Sequence, residues 1–264
     1  MSLRALVHVL PAPLIRRLQA GLFSLLRLRW TLATGIELRV LSRTDWVLYN
    51  DIFVDGEYDD SIRELIRHRD PQEAITVVDL GANVGFFSFR LFHLLALAGI
   101  PAPEVRVVSV EPSPGNRAEL QTRMHAQAHW GSCVSIVPGL VGARRSGSAD
   151  LFESHNYGSN TLFEGFRYPG ARRVAADFVD LDRLLPGDNA IDLLKCDIEG
   201  AEQDFVQEYG SFLRRVRIAI FEVHHEVCDV EQVKAHLRAA GLSFERIIAD
   251  RGNTSVRMYV RESP

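Results

Sequence analysis

The feature that most constrains the fold of this sequence is a turn that carries two glycines, Gly81 and Gly85. The β-branched run 75–78 leads into Asp79, and after Gly85 apolar residues recur at helical spacing. This order predicts a strand, a tight turn and a helix. Gly81 permits a sharp turn and a close backbone approach to a ligand. The N-terminus of the helix would present free N–H groups to a polar or anionic ligand.

The spacing of these glycines discriminates between two classes of cofactor. A dinucleotide site requires G-x-G-x-x-G, because its second glycine lets the backbone approach a pyrophosphate closely. Asn83 stands at that position, where a side chain crowds a pyrophosphate. The pattern acid-x-Gly-x-x-x-Gly resembles instead the first motif of the class I methyltransferases, whose cofactor, S-adenosylmethionine, has no phosphate. A tight βα turn in another α/β domain is the alternative interpretation.

A second acid stands at the tip of the next predicted strand. The run 105–110 is typical of a parallel strand that is buried on both faces, and Glu111 ends it. The two oxygens of a carboxylate at this place can accept both ribose hydroxyls of a nucleoside. The separation from the first motif exceeds the usual ~20 residues, and the loop 98–103 accounts for the excess. The alternative is a helix N-terminal acid that is favoured only by the dipole.

A third group of polar residues follows another apolar strand. Lys195 and Asp197 alternate, so they share one face near the C-terminal end of that strand, and Glu199 comes next. Open parallel sheets bind ligands at this end. Charges placed there are unfavourable unless they are paired or used. The strand after it carries Glu222 and His224 at the same end of the sheet.

The first 35 residues differ from the rest, because they contain five arginines and no acid. Apolar residues recur at helical spacing between Leu14 and Trp30, which predicts a basic amphipathic helix. Such a helix would lie on an anionic membrane surface through residues 14–30, or pack on the main domain or on a second subunit of a homodimer. Arginines interrupt the apolar runs, so neither a signal peptide nor a membrane span is predicted. We divide the chain into an extension, 1–43, and one α/β domain, 44–264.

Three shorter segments carry weaker signals. Residues 36–48 alternate and predict a short strand pair. An acidic, aromatic turn around Tyr58 precedes the first glycine motif, and it could close over a ligand or simply pack locally. The polar loop 155–161 is either an acceptor-side loop or a plain connection.

Composition narrows the class of protein further. A length of 264 residues is sufficient for one α/β domain with an extension. The net charge of −4 disfavours nucleic acid as a partner. The three cysteines are far apart and form no C-x-x-C, which predicts neither a zinc site nor a disulfide framework. A reducing compartment is therefore indicated, the cytoplasm, with membrane contact only at its inner face.

Three blocks together resemble the FkbM-type methyltransferases. They are residues 77–85 (VVDLGANVG), 110–114 (VEPSP) and 192–202 (DLLKCDIEGAE). The last block is the most specific, and the resemblance covers roughly residues 44–225. Cys196 stands where the family more often has isoleucine.

This resemblance implies a Rossmann-like class I methyltransferase fold, with a mostly parallel seven-stranded sheet and helices on both faces. It also implies an S-adenosylmethionine cofactor and O-methylation of a hydroxyl of a sugar, glycolipid or polyketide-type natural product. Carried over by position, the first motif would hold the methionine part, Glu111 the ribose and residues 139–141 the adenine. The cofactor-binding residues expected in this way are Tyr58, Asp79, Gly81, Ala82, Asn83, Gly85, Glu111, Pro112, Ser113, Gly139, Leu140, Val141 and Asp197.

The expected chemistry defines the candidate catalytic residues. A sulfonium methyl is already a strong electrophile, so the enzyme mainly aligns an oxygen nucleophile with the C–S bond. An alcohol also loses its proton, so a general base helps. Asp197 has the better motif position, His224 has the better matched pKa, and Glu199 and Glu222 are further candidates. The predicted catalytic set is Lys195, Asp197, Glu199 and His224.

Two further expectations concern the same end of the sheet. Glu202, one helical turn past Glu199, is expected to be a structural partner of Lys195. A metal ion bridging Asp197, Glu222 and His224 is chemically possible, but nothing in the spacing demands it, so no metal is predicted.

Three other functions are weighed against methyl transfer to a hydroxyl. An NAD-dependent oxidoreductase is disfavoured by Asn83 and by the lack of a Tyr-x-x-x-Lys pair. A non-catalytic nucleoside-binding protein would lack the polar cluster at the strand ends. A nucleic-acid methyltransferase would show an Asn/Asp-Pro-Pro-aromatic motif after the fourth strand, where this chain has Asp197 and Glu199.

Overall fold

The computed structural model describes residues 21–23, 25–154, 160–167 and 169–261. Residues 14–20 of the predicted amphipathic helix and residues 155–159 of the polar loop lie outside the described part. No helix among the described residues is both long enough and apolar enough to cross a membrane.

Strands form where the sequence has short β-branched or alternating runs. The described residues contain eleven of them: β1 Leu28–Thr31, β2 Glu37–Val40, β3 Ile75–Leu80, β4 Val105–Glu111, β5 Val134–Pro138, β6 Ser148–Glu153, β7 Arg172–Asp177, β8 Ile191–Cys196, β9 Val216–His224, β10 Leu242–Asp250 and β11 Thr254–Arg261.

Seven of these strands form one sheet in the order β10-β11-β9-β8-β3-β4-β5. Strands β4 and β8 pair with β3 in parallel, and β5 and β9 extend the sheet on either side in the same direction. Strand β11 pairs antiparallel with both β9 and β10. The predicted mostly parallel, seven-stranded sheet is therefore confirmed.

Helices cover both faces of this sheet, because neighbouring strand residues point to opposite sides. Val77 belongs to the core on one face, and Val78 belongs to the core on the other. The α-helices with defined bounds among the described residues are Arg43–Tyr49, Asp59–His68, Phe86–Leu97, Pro114–His125, Leu181–Leu184, Glu202–Glu208, Gly210–Leu213 and Val230–Ala239. Residues 21–23 and 25–26 are also helical.

The segment before the sheet differs from the predicted strand pair at 36–48. Strand β2 pairs antiparallel with β1, and residues 43–49 are helical. Ser42 caps this helix by accepting a hydrogen bond from the Asp45 N–H, and the Asp45 side chain is fully buried. The alternation of Trp46 and Leu48 was therefore too short a pattern to indicate a strand. A five-residue π-helical segment, Asn50–Val54, follows and leads to Tyr58.

Strand β6 pairs antiparallel with β7 in a separate two-stranded sheet. The stretch after Gly200 forms two short helices that meet at Tyr209. The domain boundary at residue 43 stays a prediction, although Leu38 and Val40 are buried in the same core as the sheet.

Candidate active site

The glycine turn is shaped by contacts with the neighbouring strand end. Gly81 has φ +74, and a Cβ there would lie 1.8 Å from the backbone oxygen of Asp197. Gly85 has φ +96, and a Cβ there would lie 2.7 Å from Leu120. Position 81 therefore requires glycine for packing as well as for backbone conformation, whereas position 85 requires it chiefly for backbone conformation. The close approach of Gly81 is to the backbone that follows β8.

Asn83 links this turn to the tip of β4. Its φ of +52 is left-handed, a conformation that asparagine tolerates better than most residues. Its N–H donates to Oε2 of Glu111 at 2.8 Å. The Asn83 Oδ1 is buried without a hydrogen-bond partner among the described residues. A bound ligand with a donor group would satisfy this oxygen.

The Glu111 carboxylate is held by three donors, although it is only 4% exposed. Besides Asn83, the Ser113 N–H and the Asn116 amide donate to its Oε1, at 2.9 and 3.3 Å. Burial raises the pKa of Glu111 to about 7, and these hydrogen bonds oppose the increase. The donors fix the carboxylate at the strand tip, where it can accept from vicinal hydroxyls.

A cleft opens beside these groups at the carboxyl ends of the parallel strands. Eight of the predicted cofactor-binding residues line it, and Tyr58, Asp79, Ala82, Gly85 and Ser113 do not. Six lining residues were not predicted: Val110, Asn116, Leu151, Asn160, Leu162 and Ile198. The start of the helix after Ser113 could have indicated Asn116, whereas Leu151 and Leu162 carry no distinguishing sequence signal.

The cleft combines groups that suit a nucleoside. Glu111 offers acceptors for ribose hydroxyls, and Leu140, Val141 and Leu151 offer an apolar surface for a base. The orphaned Asn83 oxygen adds an acceptor at the glycine turn. These acceptors and this apolar surface therefore fit the predicted cofactor, and each residue assignment stays a prediction.

Lys195 forms the centre of a buried charge network beneath the turn. Its Nζ donates to the Gly81 carbonyl at 2.7 Å and lies 3.4 Å from both Asp79 Oδ1 and Asp197 Oδ2. Burial by itself lowers the pKa of Lys195, but Asp79 and Asp197 raise it above its ordinary value. Burial also raises the pKa of Asp79, against the effect of Lys195. Lys195 is thus a charged support for the turn and for Asp197.

His224 lies between two carboxylates at the end of β9. Its Nε2 is 3.3 Å from Glu199 Oε2, and its Nδ1 is 3.1 Å from Glu202 Oε1. Burial by itself lowers the pKa of His224, but hydrogen bonds to these carboxylates raise it to about 12. Burial raises the pKa of Glu199 to about 7. The imidazole is protonated at neutral pH and has no free lone pair for a general base.

The expected pairing of Glu202 with Lys195 is wrong. Glu202 is fully buried, and its Oε1 accepts from the backbone N–H groups of Ile198 and Gly200 as well as facing His224. Burial raises the pKa of Glu202, but these hydrogen bonds outweigh it and lower the pKa overall. Glu199 has a left-handed backbone, with φ +54, and its own carboxylate also faces His224.

Carboxylates also gather beside Asp197, at the ends of β8 and β9. Strands β8 and β9 place Cys196 beside Phe221, so Asp197 and Glu222 are the next neighbours. Burial raises the pKa of Glu222 to about 8, and the charge of Asp197 adds to the increase. Arg251, between β10 and β11, lies 3.6 Å from Glu222.

Tyr58 and Glu57 also belong to this group of side chains beside Asp197. Arg251 donates to Glu57 Oε1 at 2.6 Å, which ties the β10–β11 turn to the segment before the first glycine motif. Tyr58 is 4% exposed, and its hydroxyl forms no hydrogen bond with a described residue. Burial raises the pKa of Tyr58, with further contributions from Asp197, Glu57 and Glu222, so these carboxylates lie near the hydroxyl.

One group of potential metal ligands occurs among the described residues. Ligand atoms of Asp197, Glu202 and His224 lie within 4.8 Å of one another. This set contains Glu202 in place of Glu222, which the sequence suggested. Both His224 nitrogens face carboxylates, which is the arrangement of an imidazolium and its hydrogen-bond acceptors.

The family model of the methyltransferase FkbM domain matches residues 79–245. The solved structure of methyltransferase FkbM from Methylobacillus flagellatus has a TM-score of 0.51 and 15% identity, over 94% of this chain and 60% of that chain. The N-terminal domain of EvdMO1, solved with S-adenosylhomocysteine bound, has a TM-score of 0.51 and 13% identity, over 96% and 98% of the two chains. No curated protein matches the sequence significantly.

The family match covers more than half of the chain, and the structural likenesses show the fold. The match decides against the oxidoreductase alternative, and it agrees with the predicted S-adenosylmethionine cofactor. The chain belongs to the FkbM family of methyltransferases, and its fold is that of the S-adenosylmethionine-dependent methyltransferases.

Proposed function

We propose that this enzyme transfers a methyl group from S-adenosylmethionine to a hydroxyl of a sugar, glycolipid or polyketide-type acceptor. The observation that carries the proposal is the position of Asp197. This residue lines the cleft, and the Glu222 carboxylate and the Tyr58 hydroxyl are also near it. It therefore marks the boundary between a cofactor half and an acceptor half.

Residues of the cleft would hold the cofactor. Glu111 would accept from the ribose hydroxyls, residues 139–141 would flank the adenine, and Asn83 would face the methionine part. When bound, the cofactor supplies an electrophilic methyl group, and its sulfur keeps the electrons of the broken C–S bond.

The general base is best assigned to Glu222. His224 is held as an imidazolium, and Asp197 is paired with Lys195. Glu222 has a pKa of about 8, close to the pH at which it must accept a proton from an alcohol. In this assignment Glu222 takes the hydroxyl proton, Asp197 orients the hydroxyl, and the His224 pair with Glu199 supports the loop.

The charge of the acceptor half favours a neutral, hydroxyl-rich acceptor. Carboxylates of Glu57, Asp197 and Glu222 lie near the Tyr58 hydroxyl, and Arg251 is already paired with two of them. Carboxylates accept hydrogen bonds from hydroxyls, whereas a phosphate or carboxylate on the acceptor would be repelled.

Isothermal titration with S-adenosylhomocysteine, with NADH as a parallel control, tests the cofactor half. We expect micromolar binding of S-adenosylhomocysteine alone. Transfer of a labelled methyl group to neutral methyl glycosides, compared with sugar phosphates, then tests the acceptor half. Binding of NADH, or a preference for phosphorylated acceptors, would contradict the proposal.

A further inference from the structure

Exposed apolar side chains are concentrated near the N-terminus of the described chain. We use the term N-terminal apolar surface for Leu22, Leu25, Leu26, Leu41, Trp46 and Val47, each at least 40% exposed. Leu22, Leu25 and Leu26 have i, i+3, i+4 spacing, so they lie on one face of their helical segment. Leu25 is 80% exposed, so this face is turned outward.

The β1–β2 hairpin joins the two parts of the chain that carry these six residues. Leu28 lies opposite Val40, so the residues just before β1 and just after β2 are neighbours across the hairpin. Leu26 and Leu41 are among those residues. The helix Arg43–Tyr49 starts immediately afterwards and carries Trp46 and Val47.

The helix Arg43–Tyr49 and strand β2, which lie next to this surface, are attached to the rest of the domain by buried contacts. The fully buried Asp45 pairs with Arg123 at 3.0 Å, and the side chain of Gln127 exchanges two hydrogen bonds with the backbone of Glu37. The Trp46 ring lies 5.9 Å from that of Tyr49, which contacts Trp30 edge-on at 4.9 Å. The exposure of Trp46 is therefore a property of a packed helix.

Positive charge accompanies the apolar side chains. Arg27 and Arg43 are exposed beside them, and neither forms an ion pair with a described residue. The first acid in the sequence is Glu37, and five arginines precede it. Exposed leucine and tryptophan flanked by arginine are the features with which a protein surface binds an anionic bilayer. A patch of this kind on a soluble domain marks an interaction site.

We propose that the N-terminal apolar surface binds the face of an anionic lipid bilayer. The apolar side chains enter the headgroup region, and Arg27 and Arg43 contact lipid phosphates. This proposal is independent of the assignment of the methyl acceptor.

Co-sedimentation of the full chain with lipid vesicles tests this surface. One set of vesicles contains phosphatidylcholine alone, and the other contains phosphatidylcholine mixed with phosphatidylglycerol. We expect binding to the mixed vesicles, much weaker binding to phosphatidylcholine alone, and a decrease with added salt. The variant R27Q/R43Q should bind the mixed vesicles about fivefold more weakly for each arginine removed.

A matched pair of variants tests whether vesicle binding requires this surface or any exposed apolar side chain. W46E/V47E should reduce binding at least roughly tenfold. The control I247E changes a residue of similar exposure on β10, the edge strand of the seven-stranded sheet, which pairs with neither β1 nor β2, and should leave binding unchanged. Circular dichroism and titration with S-adenosylhomocysteine verify that each variant is folded.

Three results would overturn the proposal. They are no binding to mixed vesicles, equal binding to both vesicle types, or unchanged binding of W46E/V47E. Light scattering adds a fourth: a dimer that W46E/V47E dissociates, without vesicle binding by the wild type, assigns the surface to a second copy of the chain.

Discussion

The Nδ1 of His224 lies 3.1 Å from the Oε1 of Glu202, a carboxylate that is fully buried. The charged imidazole and this carboxylate therefore stabilise each other, and the carboxylate is shielded from water. This relationship removes His224 from the candidates for general base and makes it a support for the loop at Glu199.

The variant H224N should destabilise the fold by about 2–3 kcal/mol, because it leaves the Glu202 carboxylate buried without its cation. Urea unfolding measures the change. H236N alters an exposed histidine and should change the free energy of unfolding by less than about 0.5 kcal/mol. Equal effects of the two substitutions would contradict the buried pair.

Stability should also depend on pH through His224. Its pKa is 6.5 ordinarily and about 12 in the folded protein, so the protonated form is favoured by folding. This contribution is fully present below pH 6.5, declines as the pH rises, and is lost above about pH 12. The difference in unfolding free energy between wild type and H224N should shrink from pH 6.5 toward pH 10; a constant difference would refute the pairing.

The variant E222Q should lower methyl transfer about 10²- to 10⁴-fold if Glu222 is the base. The base must be ionised, so wild-type turnover should rise with pH through about 8, the pKa of Glu222. E222Q should lose this dependence while binding S-adenosylhomocysteine normally. E226Q, at an exposed site two residues past His224, serves as the control. A normal pH profile in E222Q would transfer the role to Asp197.

The variant E111Q should weaken binding of S-adenosylhomocysteine about 10-fold to 100-fold, because a charged acceptor for the ribose is lost. Isothermal titration measures the affinity directly and needs no acceptor. E231Q changes an exposed glutamate and should bind like wild type. Wild-type affinity in E111Q would show that the ribose is held elsewhere.

The variant G81A should prevent folding or destabilise it by more than about 3 kcal/mol, because the new Cβ would meet the Asp197 backbone. Gly187 has a similar backbone, with φ +86, but nothing lies within 4 Å of its added Cβ. G187A should therefore show only the backbone effect, about 1–2 kcal/mol. Thermal unfolding of the two variants distinguishes the effect of the steric clash from the effect of the left-handed backbone conformation.

The sequence was sufficient for the sheet and the cleft because the determining interactions are local. The apolar strand that ends at Leu80 is buried, and the turn after it requires glycine at residue 81. Glu111 is the last residue of its strand, so the topology alone places it beside Asn83. Strand and turn patterns of this kind can be recognised without knowledge of distant residues.

The partners of buried charges could not be predicted in the same way. Asp45 pairs with Arg123, which is 78 residues away, and this contact accompanies a helix where alternation suggested a strand. Glu202 was expected to pair with Lys195, but its carboxylate faces His224. Tertiary packing selects such partners, and sequence spacing carries no information about it.

The π-helical segment Asn50–Val54 has a consequence for how an acceptor arrives. It joins the helix that carries Trp46 to Glu57 and Tyr58, so the proposed bilayer contact and the acceptor half lie on one short stretch of backbone. An acceptor that is anchored in a leaflet would then reach the enzyme by lateral diffusion in two dimensions. Its encounter rate would be governed by its density in the membrane, independent of its concentration in solution.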